Sequence, residues 1–595
     1  MASSMLFVMG CSQVVQSGTS GTADGADAGL AVEVSSLLWE TLLMGTFVAG
    51  ALFFHFYRTS TAQAEARRIA RKKEAELEEP LPPVVQSPKA YKPPSAPREP
   101  RQNQRRRSSG ESRRPTDTEL HRKLNQQICA QDSAFRILDL VGAHANDLNE
   151  VNLATALHRV AKWTKREARN PESVQANPHW RTLLVLVEAK HRNFNAQGLA
   201  NGMWALATMR VTVACEKPLL EALSTEIVRR LDSKQFSPQA IANAAWACAT
   251  LRFRPMDLLR GLEREAQTML GQFNPQDLAN MMWAYATLGE ASADFTAKVA
   301  RAARPLLRDF KPQEMSNLLW AFATAKHPNH DLFEEAADII IRQAPYLNSQ
   351  ALANITWSYA TLNHHHQRLL ETVSAAATPK LRWFNSQELS NLLWACATLR
   401  HKDMALLEAA ASVVTAGCER FNPQDVANTC WAVASLRYAN GPMLDALARA
   451  ATAQKSRFYP QAMANCLWCF ACLEHKSQAL FWAMSDAAVA QMYGFNSTDL
   501  VTTAHAYGTV GVRIPELLQA IGTAAARRIG EFKPSALTMI EAAFQKLDFE
   551  HEELQEALAT VAERRKSGAL AVGRAAFEVG AVPETSGRRS GSRSD

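Results

Sequence analysis

An amide pair recurs along this chain. Gln and Asn stand four residues apart as Gln197 and Asn201, Gln239 and Asn243, Gln276 and Asn280, Gln313 and Asn317, Gln350 and Asn354, Gln387 and Asn391, Gln424 and Asn428, and Gln461 and Asn465. A carboxamide offers both donor and acceptor, so rows of amides can bond base edges or phosphates without carrying charge. They can equally satisfy the backbone of a neighbouring helix, and the sequence leaves both roles open. One site between them varies: Asp277, Glu314, Glu388 and Asp425 alternate with Gly198, Ala240, Ala351 and Ala462. The residue after each Asn varies too, from Gly202 to Cys466. An amide present in every copy cannot tell one base from another, so these variable sites are the candidates for selectivity. For the acids, the alternative is a favourable charge in a helix's first turn.

Other constellations are weaker. Cys466, Cys469 and Cys472 have cluster-like spacing but occupy sites filled elsewhere by Ala, Leu or Thr, and read as packing variation. His364, His365 and His366 read as a polar inter-helix loop. No phosphate loop, dinucleotide fingerprint, zincin motif or nucleophile elbow is present. No catalytic residue, cofactor or metal is expected, and the chain reads as non-enzymatic.

A tandem repeat positions the amides. Blocks open at Phe236, Phe273, Phe310, Leu347, Phe384, Phe421, Phe458 and Phe495, with a fading copy at Phe532, each 37 residues after the last. Phe194 precedes Phe236 by 42, which implies an insertion in one loop, and Leu148 opens a degenerate first copy. Let the anchor Phe be position zero. Position +1 is usually Asn or Ser, a good helix N-cap, and +2 is often Pro, which suits the first helical residue. The first helix runs to about +15 and a second apolar-periodic stretch follows. The expected fold is all-α, an α-solenoid of about ten 37-residue helical hairpins.

Eight Trp residues stand at +10, from Trp204 to Trp468, and read as core anchors. On a helical wheel +3, +7, +11 and +14 share an arc of about 80°, giving a polar stripe of Gln, Asn, Ala and Thr.

The chain has 595 residues, with 65 Lys and Arg against 58 Asp and Glu, a net charge of +7. Hydrophobic residues make up 47%, which excludes wholesale disorder. The basic excess lies outside the repeats. Residues 58–123 carry 17 basic and 9 acidic side chains, whereas 194–566 carry 35 of each. Residues 1–36 read as disordered or targeting sequence, 37–57 as a candidate transmembrane helix, 58–116 as a Pro/Arg/Ser-rich linker and 567–595 as a disordered tail. A buried core helix or an organelle-targeting element is the alternative for 37–57. Residues 117–193 form a degenerate cap before the array at 194–566, with Thr116 and Glu119 able to cap its first helix.

The block F-N-P-Q-D/E-L-A-N-x-x-W-A-x-A-T-L resembles the octotricopeptide and heptatricopeptide repeats of algal, dinoflagellate and apicomplexan organelle proteins, which are similar to FAST-kinase-like repeats. The resemblance covers roughly residues 190–550 and implies binding of single-stranded RNA in a mitochondrion or chloroplast, for its processing, stability or translation. No RAP module follows Lys566, so no nuclease chemistry is carried over. The competing expectation is a membrane-tethered scaffold that takes a protein partner in the solenoid groove.

Overall fold

A computed structural model describes residues 117–563. These are helical throughout their regular structure, with no strand among the described residues. The fold is the expected α-solenoid. The expectations for 1–36, 37–57, 58–116, Thr116 and 567–595 fall outside the described residues. Among the described residues no helix is long and apolar enough to cross a membrane.

The repeat opened by Phe273 shows the local logic. Its first helix is Pro275–Leu288, its second Ala293–Ala303, and a 3-10 turn at Arg304–Asp309 leads to the next anchor. Asn274 caps the first helix by accepting from the Asp277 N–H at 2.9 Å. Asn195, Ser237, Asn348, Asn385, Asn422 and Asn496 do the same in their repeats, each cap stabilising its helix by about 1 kcal/mol. From the Phe194 copy to the Phe532 copy, position +16 then turns the chain with a left-handed residue: Arg210, Arg252, Gly289, Lys326, Asn363, Arg400, Arg437, Glu474, Gly511 and Asp548.

First helices stack on first helices in one row, and second helices form the other. Small residues at +6 and +13, such as Ala279 and Ala286, are buried where first helices meet. At Gly508 the approach is close: a Cβ there would stand 3.0 Å from the Ala543 Cα. The core lies between the rows. The anchors Phe194, Phe310, Phe458 and Phe495 are fully buried, as are Tyr285, Tyr359 and Tyr507 at +12. Each tyrosine hydroxyl donates to a carbonyl of the preceding repeat's second helix: Leu259 at 2.5 Å, and Phe333 and Phe481 at 2.6 Å. A second staple fixes register. The side chain four residues before an anchor reaches back to the previous anchor's carbonyl, as Lys380 does to Leu347 (2.8 Å), Gln454 to Phe421 (2.8 Å) and Gln491 to Phe458 (3.0 Å).

The segment opened by Leu148 supplies a helix of the same kind. Asn149 caps Glu150–Arg166, which packs on Ala196–Thr208 at the head of the first-helix row. The expected insertion before Phe236 falls where the second helix begins: Val213–Leu231 holds 19 residues against 14 in Met256–Met269. Pro218 lies inside the longer helix, beside a break in helical geometry at Glu216. Proline cannot donate to the preceding turn, so the helix kinks there.

Candidate nucleic-acid interface

The first-helix row presents one polar stripe to solvent. The Gln residues at +3 are exposed or half-buried, and every Asn at +7 is half-buried. Gln197 donates to Asn201 at 2.9 Å and Gln424 to Asn428 at 2.6 Å, so these amide bonds run along a helix rather than between repeats. The expected +11 member is corrected. Ala205, Ala284, Ala321 and Ala432 are buried, and the residue at +10 takes that place on the boundary.

That residue is the tryptophan, which also corrects its assignment as core. Trp204, Trp246, Trp283, Trp320, Trp357 and Trp468 are half-buried, and only Trp394 and Trp431 are buried. The indoles meet across repeats, with ring centroids 6.4 Å apart for Trp320 with Trp357 and for Trp394 with Trp431. In the Leu148 copy His158 stands in the same register and packs on Trp204 at 5.2 Å. Burial, with Lys162 and Arg159 nearby, lowers the pKa of His158 to about 4 and keeps it neutral. The wheel already held the signal. Positions +3, +7, +10 and +14 span only about 60°, and the apolar character of Trp drew it inward on paper.

Threonine completes the stripe at +14. The hydroxyls of Thr208, Thr250, Thr287, Thr324 and Thr361 are buried without a hydrogen-bond partner among the described residues. Thr398 shows the local remedy, donating to the Trp394 carbonyl at 2.8 Å. An unmet buried hydroxyl costs about 1–3 kcal/mol, so five in register call for a reason. The side-chain rotation seen in Thr398 would satisfy each of them within its own helix, and oxygens buried this fully are closed to a surface ligand.

The proposed selectivity residues are placed elsewhere. Asp277, Glu314 and Asp425 are buried, and Glu388 is half-buried. Their place at the third residue of the helix turns carboxylates back to the cap: Glu314 accepts from the Lys311 N–H at 3.0 Å, Glu388 from Asn385 at 3.0 Å and Asp425 from Asn422 at 3.4 Å. Burial raises Asp277 to about 6, and Asp499 at the same position to about 7. The variable site after each Asn is buried as well, from Gly202 to Cys466. These side chains are committed to capping and packing, not displayed to a groove.

Charge is more ordered than the balanced totals suggest. Arg210, Arg252, Lys326, Arg400 and Arg437 are exposed at the left-handed +16 corner, past the end of the stripe. In the repeat opened by Phe273, Lys298 of the second helix pairs with Asp294 at 2.7 Å, and Arg304 in the following turn pairs with Asp331 at 2.8 Å and Glu335 at 2.5 Å. His364 is buried against Glu334 at 2.8 Å, and His366 caps the following helix through Leu369. Cys466 and Cys469 are buried, Cys466 lying 3.9 Å from Cys430. Among the described residues no His, Cys, Asp and Glu group is placed to hold a metal ion.

The model of a family described as RNA-editing substrate-binding complex 6 protein matches residues 181–440 and 410–572, nearly the whole array. No curated protein matches the chain. Among solved structures, a chain of a homology model of the full-length AP-3 complex in an intermediate open conformation is 9% identical, covering 76% of this chain and 93% of that one at a TM-score of 0.30.

Proposed function

Because this chain belongs to the RNA-editing substrate-binding complex 6 protein family, we propose that it binds single-stranded RNA along the Gln, Asn and Trp stripe of its first helices. The observation that carries this reading is the stripe itself. It repeats at one register in eight successive units and brings amides and indole edges to the solvent boundary. Amides bond base edges and sugars, and partly open indoles offer faces for bases. The +16 cations would follow the phosphates. One nucleotide per repeat is the simplest register, by analogy with other helical readers. Because the row is nearly invariant, the recognition is weakly sequence-selective. The chain acts by holding RNA, not by cleaving it.

The finer assignment follows the resemblance of the repeat block: an octotricopeptide- or heptatricopeptide-type protein of a mitochondrion or chloroplast, serving RNA processing, stability or translation. A second reading has its own support. The family description names a complex, and the array is electrically balanced, so a protein partner on the second-helix row is compatible with RNA on the first. The test is ultraviolet crosslinking of the full chain to single-stranded RNA with peptide mapping. Crosslinks on first-helix peptides such as 276–287 support the proposal; crosslinks confined to 58–116, or none, reject it. Imaging a carboxyl-terminal fluorescent fusion tests the compartment.

A further inference from the structure

The turn that precedes each first helix carries side chains that neither the core nor the stripe uses. Two of them are large aromatics at equivalent sites, immediately before adjacent anchors and 37 residues apart: Tyr346 is 85% exposed and Trp383 is 62% exposed. The same site in the next two repeats is Arg420 and then Arg457, both exposed. One repeat further, Tyr493 stands two residues before its anchor and is fully exposed. Arg382 lies over the Trp383 ring, its guanidinium carbon 4.3 Å from the centroid. Exposed rings of this size are costly to leave in water. Here they mark one edge of the array, from the Leu347 repeat to the Phe495 repeat.

We propose that this edge, built from Tyr346, Arg382, Trp383, Arg420, Arg457 and Tyr493, is a base-stacking track for single-stranded RNA. The inference rests on the RNA-binding reading above and assigns a second contact line to it. Three features select nucleic acid as the occupant. Two aromatics, two cations and a further aromatic follow one another from repeat to repeat, with Arg382 over the Trp383 ring, and every base presents a flat face to a ring or a guanidinium while its phosphate meets the neighbouring charge. The spacing is one side chain per repeat, about 8–10 Å between packed helices, which suits an unstacked strand rather than a duplex. The turn also leads directly into the first helix at the stripe's amide end: Tyr346 and Trp383 stand four residues before Gln350 and Gln387 in sequence. A base held on the turn therefore lies at the amide end of the first helix. The line covers only part of the array, so one stretch of the RNA is gripped more tightly than the rest.

The experiment uses the full chain and a fluorescent single-stranded oligouridylate, with the double-stranded form of equal length as a second probe. The variants are Tyr346→Ala with Trp383→Ala, the conservative Tyr346→Phe with Trp383→Phe, and Arg420→Ala with Arg457→Ala. All the altered side chains are exposed, and thermal melting of each variant confirms an intact fold. The double alanine variant should bind the single strand roughly five- to a hundredfold more weakly, and the phenylalanine variant should hold most of the affinity. The double strand should bind weakly to every form. The arginine variant should lose affinity together with some of its salt dependence. Wild-type affinity in the double alanine variant overturns the stacking track while leaving the stripe intact. Absence of RNA binding by the unaltered chain overturns both. Loss of self-association or of a protein contact in the alanine variant, with RNA binding unchanged, assigns the edge to protein and also overturns the proposal.

Discussion

The two helix rows of the array solve different problems. First helices repeat almost residue for residue: Asn280, Asn317 and Asn354 recur in register, as do Trp283, Trp320 and Trp357. They carry almost no charge on their open face. Second helices share only their apolar pattern, and their outer faces hold ion pairs such as Arg304 with Glu335 and Lys298 with Asp294. A second helix needs only an apolar inner face and a soluble outer one, and many residues meet that demand. In the first row, packing fixes the buried side, but packing alone does not explain a half-open side that is as uniform as the buried one. The proposed RNA-binding role of the first row rests on this contrast.

The largest effect tests packing. Phe310→Ala removes a buried ring at the junction of two repeats and should cost about 3–5 kcal/mol, read as an early-melting segment in thermal or denaturant unfolding. Arg304→Ala, in the exposed second-helix row, should leave the melting temperature nearly unchanged. Equal losses from both would erase the contrast between rows.

The next test separates fold from function within the stripe. Thr250→Val, Thr287→Val and Thr324→Val together replace unpartnered hydroxyls with methyl groups of the same shape. The melting temperature should hold or rise, because an unmet polar group is removed. Affinity for single-stranded RNA should hold, because the replaced oxygens are closed to a surface ligand. A drop in melting temperature would mean the hydroxyls were serving the fold.

Acid dependence follows from the buried first-turn carboxyls. Burial raises Asp499 to about 7 and Asp277 to about 6, so the folded state keeps protons that the unfolded chain releases. Their contribution therefore weakens stability as pH rises from about 4 to about 7 and is level above that. Burial acts oppositely on His158, lowered to about 4: the unfolded chain gains a proton first, so stability falls as pH drops from about 6.5 to about 4. Asp499→Asn keeps an acceptor for the Asn496 N–H and should raise the melting temperature at about pH 8 more than at about pH 5. An equal shift at both would show that burial does not hold the proton. The smallest effect lies at the corner. Arg252 has φ of 52°, which glycine adopts without strain, so Arg252→Gly should stabilise by up to about 1 kcal/mol while slightly weakening RNA binding.

Much of the array was legible in the sequence. The Asn and Pro at +1 and +2 announced the helix starts, and the structure places caps there. The ends were harder to read: the left-handed residue at +16 is Arg or Lys more often than Gly, so composition does not flag it. The stripe was legible except at Trp283 and its equivalents. A tryptophan on a two-layer array can sit at the seam, with one edge packed and the other open, and hydrophobicity alone does not separate seam from core. Tyr285 shows the complement, a residue with a polar tip that is wholly buried because Leu259 offers a carbonyl. The acids at +4 misled because a solvent-facing charge and a capping carboxylate look alike in sequence; Glu314 and Asp425 are the latter.

The most direct measurement replaces Asn280, Asn317 and Asn354 together by Ala and follows RNA affinity and melting in parallel. The account predicts at least a tenfold loss of single-stranded RNA affinity, about 1.4 kcal/mol, with an unchanged melting temperature and an unchanged salt slope, because the amides bring no charge. Undiminished affinity, or a sharp fall in melting temperature, would contradict it and return the amides to the fold.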